Sequence, residues 1–439
     1  MIPMFDLPVW TGSWRRLIVV GVIAGVVVVA DPAAAGAAVV RITRVSVSSA
    51  EAQAFAPSES PSISADGRYV AFESQAPLVP DDTNGMSDVY VRDRAAGTTT
   101  RVSVRGRNGQ LDASSGSPKL SAQGRYVAFS SHAANLVPGD TNDQPDIFVR
   151  DLVTGATSRA NVSAAGAQAN EVSFTDSISA DGRYVAFTSS ATNLVPDDTN
   201  DAADVFVRDQ RTGAVTRVFV PGDQDDGSER AMLSADGRYV VFNSDVDPFT
   251  DGTDVYLMDL ATRATERMDV SSAGVAANDG SGLYPAISGN GRYVAFSSRA
   301  ANLVPGDTNA NTDLFVRDRL AGTTRRVSLS PAGVQANGYS NSGTLSADGR
   351  YVAFGTAATN LVPGDTNDAD DVLVRDQRTG ALIRASLSYR GEQPNDFVGG
   401  ALSADGRHVV LLSQASNLVP HDTNGVTDVF VRALCPRAR

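Results

Sequence analysis

A chain of 439 residues with 42% apolar and 20% charged side chains can bury a large core, which excludes an intrinsically disordered protein. The net charge of −13 is almost wholly aspartate, 43 against 7 glutamates, and the bases are 36 arginines and a single lysine, Lys119. Such an acid excess argues against nucleic acid and anionic lipid as partners, because phosphate binding needs clustered cations; cations, sugars and basic protein patches fit better.

Arg15 and Arg16 precede an apolar run from Leu17 to Ala30, and small residues follow at Ala33 to Ala37. This is the layout of a secretory signal. Residues 1–37 are therefore expected to be a signal peptide cut near Ala35 to Ala37, delivering a protein that is secreted or held in the cell envelope. An uncleaved anchor is the alternative, although the run is short for a span. Trp10 and Trp14 would leave with the signal. Cys435, in a C-terminal tail at 435–439, is the only cysteine and can form no intrachain disulfide.

The sequence SADGRYVAF begins at Ser64, with close copies at Ser121, Ser179, Ser234, Ser288, Ser346 and Ser403. The embedded glycines recur at intervals of 57, 58, 55, 54, 58 and 57 residues. A period of this size with several strand-like runs per unit is the mark of a propeller or solenoid. In the third copy, Asp181-Gly182 joins two strand-like runs in a hairpin, since the tight turn needs positive φ. A Pro/Asp/Asn-rich loop follows, then a strand from Asp204, a turn at Thr212-Gly213, and a fourth strand near Thr216 to Val220. Four antiparallel strands make one blade. Both faces of the strands are apolar, as blades sandwiched between neighbours require.

The seventh copy stops after its third strand at Arg432, while Thr43 to Val47, ahead of the first copy, matches the fourth strand Thr100 to Val104. The N-terminal strand is thus expected to complete the last blade and remove the open sheet edge. The fold expected is all-β: a seven-bladed β-propeller of four-stranded antiparallel blades over residues 41–434, closed by the N-terminal strand.

The loops between second and third strands share Asp-Thr-Asn, three variable positions and Asp. The candidate residues are Asp82, Asn84 and Asp88; Asp140, Asn142 and Asp146; Asp198, Asn200 and Asp204. They continue with Asp307, Asn309 and Asp313; Asp365, Asn367 and Asp371; Asp422, Asn424 and Asp428. Hard oxygen donors at these spacings occur in calcium loops, but no bidentate acid closes the set. The same residues build Asx-turns that only shape the loop. Both readings, weakly bound calcium and structural turn, stay open. The fourth blade departs, with a shorter loop from Phe249 to Asp254. The blade-to-blade loops, opening on the same face, carry Gln-Ala-Asn, as at Gln168 to Asn170 and Gln335 to Asn337.

His132, His408 and His421 fall in different blades and make no zinc site. The arginine of Val-Arg-Asp, as at Arg92, Arg150 and Arg208, is expected to pair with aspartate within or between blades. Asn161-Val162-Ser163 matches a glycosylation acceptor, a pattern common by chance.

S-A-D-G-R-Y-V-A-F, with D-V-F-V-R-D and the T-G turn, resembles the WD-like repeat of TolB-type propellers. The resemblance covers roughly residues 41–434. It implies an exported propeller whose faces bind envelope proteins. The chain departs from that family: it lacks the separate α/β domain and shows seven repeats rather than six. Related propellers precede prolyl-oligopeptidase-like hydrolase domains, but no G-x-S-x-G elbow occurs here.

The function expected is a non-catalytic binding or scaffold module, monomeric, taking a protein or glycan on its loop face. The alternatives are a propeller lyase or glycosidase using channel-lining acids, and a calcium-stabilised propeller. No catalytic residue is assigned, and calcium is the one cofactor considered.

Overall fold

The computed structural model describes residues 41–221, 227–244, 253–282 and 284–434. The chain divides into a short unit, Met1–Val39, and a unit Val40–Arg439 that carries the described residues. The expected signal peptide, Trp10, Trp14, Cys435 and the Phe249 to Gly252 part of the fourth loop lie outside them.

Seven four-stranded antiparallel sheets follow one another, and six of them pair strictly in chain order. The second blade shows the plan: Ser115–Leu120 innermost, then Tyr126–Ser131, Asp146–Asp151 and Thr157–Arg159 outermost. Each innermost strand meets that of the next blade, and the seventh, Val398–Leu402, returns to the first, Ser58–Ile63, so the ring closes around an axial channel. In the seventh blade the outermost strand is Ile42–Arg44, paired antiparallel with Asp428–Ala433. Val45 and Ser46 still donate to the Val429 carbonyl, whereas Val47 turns away to bridge Gln53. The N-terminal strand completes the last blade as its sequence requires, ending slightly earlier.

In the first copy the Ser64 hydroxyl donates to Asp66 (2.8 Å) and accepts from the Tyr69 amide (2.9 Å), while Asp66 also accepts from the Arg68 amide. Arg68 lies over the Tyr69 ring and holds Asp93 with two nitrogens at 3.0 and 2.7 Å. The same arginine–aspartate fork recurs at Arg125–Asp151, Arg183–Asp209, Arg238–Asp259, Arg292–Asp318 and Arg350–Asp376. The alanine forms a belt. Ala65 N donates to Ala122 O, Ala122 to Ala180, Ala180 to Ala235 and Ala235 to Gly289; Asn290, Ala347 and Asp405 complete the circle back to Ala65. A β-carbon on Gly289 would stand 3.0 Å from that of Ala347 and 3.3 Å from that of Ala235, so small residues are needed there.

Val and Phe of Y-V-A-F face the preceding blade and Ala faces the following one. Val185, Phe187 and Phe206 pack with Ala128, Ile147 and Val149 of the second blade, whereas Ala186 joins the cluster toward the fourth. Phe187 and Phe206 pair with centroids 5.8 Å apart. Burying each such ring contributes about 1.5–3 kcal/mol. Across the closure, Phe72 and Tyr90 pack with Val45, Val410, Val429 and Val431.

Candidate functional site

Strand alternation places the long loops between second and third strands, and the blade-to-blade loops, on one face of the ring. The tight Asp-Gly turns occupy the other. In the second blade, Asp140 and Asp146 are brought together, and between them lies Arg159 from the outermost strand. Its Nη2 stands 2.9 Å from Asp140 and its Nε 2.8 Å from Asp146. The Asn142 amide donates to Asp146 and to the Ala169 carbonyl, both at 3.0 Å, and its oxygen accepts from the Gln144 amide, an Asx-turn. Asn161 donates to Asp146 from the other side at 2.7 Å and is wholly buried, so its match to a glycosylation acceptor is not usable in the folded protein.

The arrangement repeats. Arg101 serves Asp82 and Asp88, Arg217 serves Asp198 and Asp204, and Arg326 serves Asp307 and Asp313. Arg384 serves Asp365 and Asp371, and Arg44, on the closing strand, serves Asp422 and Asp428. Asn84, Asn309, Asn367 and Asn424 tie the carbonyls of Leu111, Ala336, Pro394 and Ala54, and Asn200 accepts from the Ala202 amide. Ser103, Ser328, Ser386 and Ser46 donate to the second aspartate where the second blade uses Asn161. The fourth blade, with its short loop, keeps the charge pattern by another route. Asp269 replaces that serine, and Arg267 contacts Asp254 at 2.5 Å and Asp269 at 2.9 Å. These arginines are the residues that sequence reasoning missed; their recurrence at the end of every outermost strand was the available signal.

Burial dominates the titration of these carboxylates. It pushes Asp88 and Asp204 up to about 6, against the pull of Arg101 and Arg217. Asp140, Asp198, Asp307, Asp371, Asp422 and Asp428 are raised for the same reason. Two carboxylates around one guanidinium make a buried ion triad, and any cation entering must compete with that guanidinium. Among the described residues no group of three or more His, Cys, Asp or Glu has the arrangement of a metal site.

The Val-Arg-Asp arginines correct an expectation. They bind backbone carbonyls of the preceding blade, Arg92 donating to Ser48 and reaching Glu51 as well. Arg150 donates to Val104 and Gly106, Arg208 to Val162, Arg317 to Ser271 and Arg375 to Leu329. A guanidinium with five donors can satisfy several carbonyls that turn out of the sheet ladder.

Gln-Ala-Asn laces the rim together. Gln335 accepts from Thr308 N and donates to Gly306 O and Thr308 Oγ1 of its own blade's loop. Asn337 bonds Thr359 and Asn360 of the next blade. Gln168 and Asn170 do the same between the second and third blades, three steps earlier in the ring. On this face Asp112, Asp143, Asp197, Asp201, Asp368 and Asp396 are exposed, and none forms an ion pair among the described residues. On the turn face six aspartates are held by arginine, whereas Asp66, Asp181, Asp236 and Asp348 are exposed and accept from a serine hydroxyl and a backbone amide; a cleft of about 380 Å³ lies beside Arg292, Asp318, Asp348 and Arg350.

A second group escaped the sequence reading because its members break the repeat one at a time. Asp176, Lys119 and Glu229 stand on the innermost strands of the third, second and fourth blades and Glu73 on the second strand of the first, all partly exposed. The signal was the use of lysine once in a chain otherwise built with arginine.

No family model and no curated protein matches the chain. Solved structures do. The β-propeller domain of the trilobed protease from Pyrococcus furiosus, described as having an open velcro topology, aligns at TM-score 0.52 and 14% identity over 86% of this chain and 95% of its own. Here the velcro is closed, by Ile42–Arg44 on Asp428–Ala433. An oligogalacturonate lyase in complex with manganese aligns at TM-score 0.55 and 11% identity, over 91% and 95%. TolB from Acinetobacter baumannii aligns at TM-score 0.38 and 15% identity over 84% and 81%, too loosely to carry an argument. At these identities the likeness shows the fold alone: the chain is a seven-bladed β-propeller.

Proposed function

We propose that this protein is an extracytoplasmic binding ring whose loop face docks a basic protein surface. One observation carries the reading: the loop face is a rim of cross-bonded loops on which six exposed aspartates form no ion pair among the described residues, whereas six aspartates of the turn face are each held by an arginine. Rigid loops lose little entropy on docking, and an uncompensated field of one sign steers oppositely charged partners. A protein partner is favoured over a neutral glycan because the exposed groups are charged and spread round the whole rim.

The experiment titrates the purified ring with a synthetic ten-residue lysine peptide by calorimetry at rising salt. Binding is expected at low salt, weakened by the triple substitution Asp143→Lys, Asp201→Lys, Asp368→Lys and untouched by Asp66→Lys, Asp348→Lys on the turn face. Equal effects from both faces, or selective binding of neutral oligosaccharides instead, would overturn it. The second reading is an enzyme working from the channel. It is favoured by the charged group on the inner strands of the first four blades.

A further inference from the structure

The chain contains 36 arginines and one lysine, and that lysine stands on the innermost strand of the second blade. Guanidinium stays protonated at any accessible pH, so Lys119 is the one side-chain cation of the protein able to present a neutral amine. The position is informative. In the first, third and sixth blades the corresponding Ser62, Ser177 and Thr344 accept a hydrogen bond from the innermost strand of the next blade, at Leu120 N, Leu233 N and Leu402 N. Lys119 occupies this clasp position between the second and third blades, so its side chain is sent toward the third. There stands Asp176, where other blades carry Pro118, Ala231 or Gly343, beside the strand irregularity between Thr175 and Ser177.

Two departures from the repeat thus meet across one blade junction. A lysine placed only for stability would be expected to pair. Lys119 makes no hydrogen bond or ion pair with any described residue, and Asp176 and Glu73 act on it only through space. Both carboxylates are held elsewhere: Thr188 donates to Asp176 at 2.7 Å, and Glu73 accepts from Ser60 Oγ at 2.7 Å and Ser117 N at 2.9 Å. Glu229 adds to the negative field at Asp176 and is itself paired to Arg230 at 3.5 Å. Phe174, on the same strand two residues before Asp176, is 57% exposed.

We propose that Lys119 is a channel nucleophile that forms an imine with a neutral hydroxyaldehyde, such as the open-chain form of a reducing sugar. The Nζ lone pair adds to the carbonyl carbon, and the oxygen receives the proton released by nitrogen. Protonated Asp176 then gives its proton to the resulting hydroxyl. The C–O bond breaks, water leaves, and a protonated imine remains beside the Asp176 carboxylate. No oxidant or reductant is required. Glu73 and Glu229 accept hydrogen bonds from the substrate hydroxyls and repel anionic carbonyl compounds. Titration runs in the direction this geometry needs: burial lowers Lys119 from its ordinary value, against the pull of Asp176 and Glu73, and burial raises Asp176 to about 6. The site is independent of the loop-face docking reading.

Because the chain has one lysine, the test reads the unaltered protein. It is incubated at neutral pH with glyceraldehyde and cyanoborohydride, which reduces an imine to a stable secondary amine, and peptide mapping locates the added mass. Labelling of Lys119 at least about tenfold faster than of Nα-acetyl-lysine amide is expected. Glyoxylate, the anionic probe, should label more slowly than glyceraldehyde. Asp176→Asn should slow glyceraldehyde labelling while circular dichroism stays unchanged. Labelling no faster than the free reference overturns the nucleophile. A preference for glyoxylate overturns the substrate class, and an Asp176→Asn variant of unchanged rate overturns the role given to Asp176.

Discussion

The His408 ring of the seventh blade lies against the α-carbon of Gly67 in the first, so closely that a β-carbon there would overlap it. Tyr69 covers Gly124 in the same way, and Tyr126, Tyr184, Tyr239, Tyr293 and Tyr351 cover Gly182, Gly237, Gly291, Gly349 and Gly406. The repeated glycine therefore has two physical causes, a turn with φ of +72° at Gly67 and a ring from the neighbouring blade. His408 stands where the other blades have tyrosine, and burial lowers its pKa.

Gly67→Ala and Gly85→Ala separate these causes. Gly85 has φ of +68° with nothing within 4 Å of a built β-carbon. A left-handed alanine costs about 1–2 kcal/mol at either site. Overpacking against His408 should add about 1–3 kcal/mol at Gly67 only. Urea denaturation of both variants gives the difference, and equal losses would remove the ring contact as a constraint.

Removal of residues 41–48 should open the ring. It deletes the outermost strand of the seventh blade and leaves Asp422 and Asp428 buried without Arg44, which alone costs about 3–5 kcal/mol. Removal of residues 435–439 should leave the melting temperature unchanged. Thermal melting with limited proteolysis compares the two truncations.

Arg159→Ala leaves Asp140 and Asp146 facing each other without a cation, so a loss of about 3–5 kcal/mol is expected. Any calcium entering this pair must compete with the guanidinium. Millimolar calcium should therefore raise the melting temperature of Arg159→Ala more than that of the unaltered protein. A response of equal size in both would place calcium away from this carboxylate pair.

Stability should pass through a maximum in mild acid. Asp88 and Asp204 have folded-state values of about 6, above the ordinary 3.8, so between these values the folded protein binds protons more readily than the unfolded chain. Stability contributed by each then rises as pH falls through that window, by on the order of 2–3 kcal/mol. Asp93 and Asp376 are held at about 2, Asp93 by Arg68 and Asp376 by Arg350, and their contribution is lost as pH falls from 3.8 toward 2. Calorimetric melting across this range should show the maximum, and Asp204→Asn should flatten its neutral side. A steady rise of melting temperature from pH 4 to 7 would contradict the account.

Blade count, strand order and ring closure were legible in the sequence because they rest on short-range chemistry. Ser64, Asp66 and Gly67 build a turn from neighbouring residues, and Thr43 to Val47 repeats the pattern of Thr100 to Val104. Partners from distant parts of the chain were not legible. Arg159 reaches Asp140 across two strands, Arg150 finds carbonyls 44 to 46 residues away, and Lys119 meets Asp176 only because two innermost strands adjoin. Local propensity and period specify a blade. Only the closed ring decides which charge stands beside which, since burial and through-space fields depend on neighbours that the period does not name.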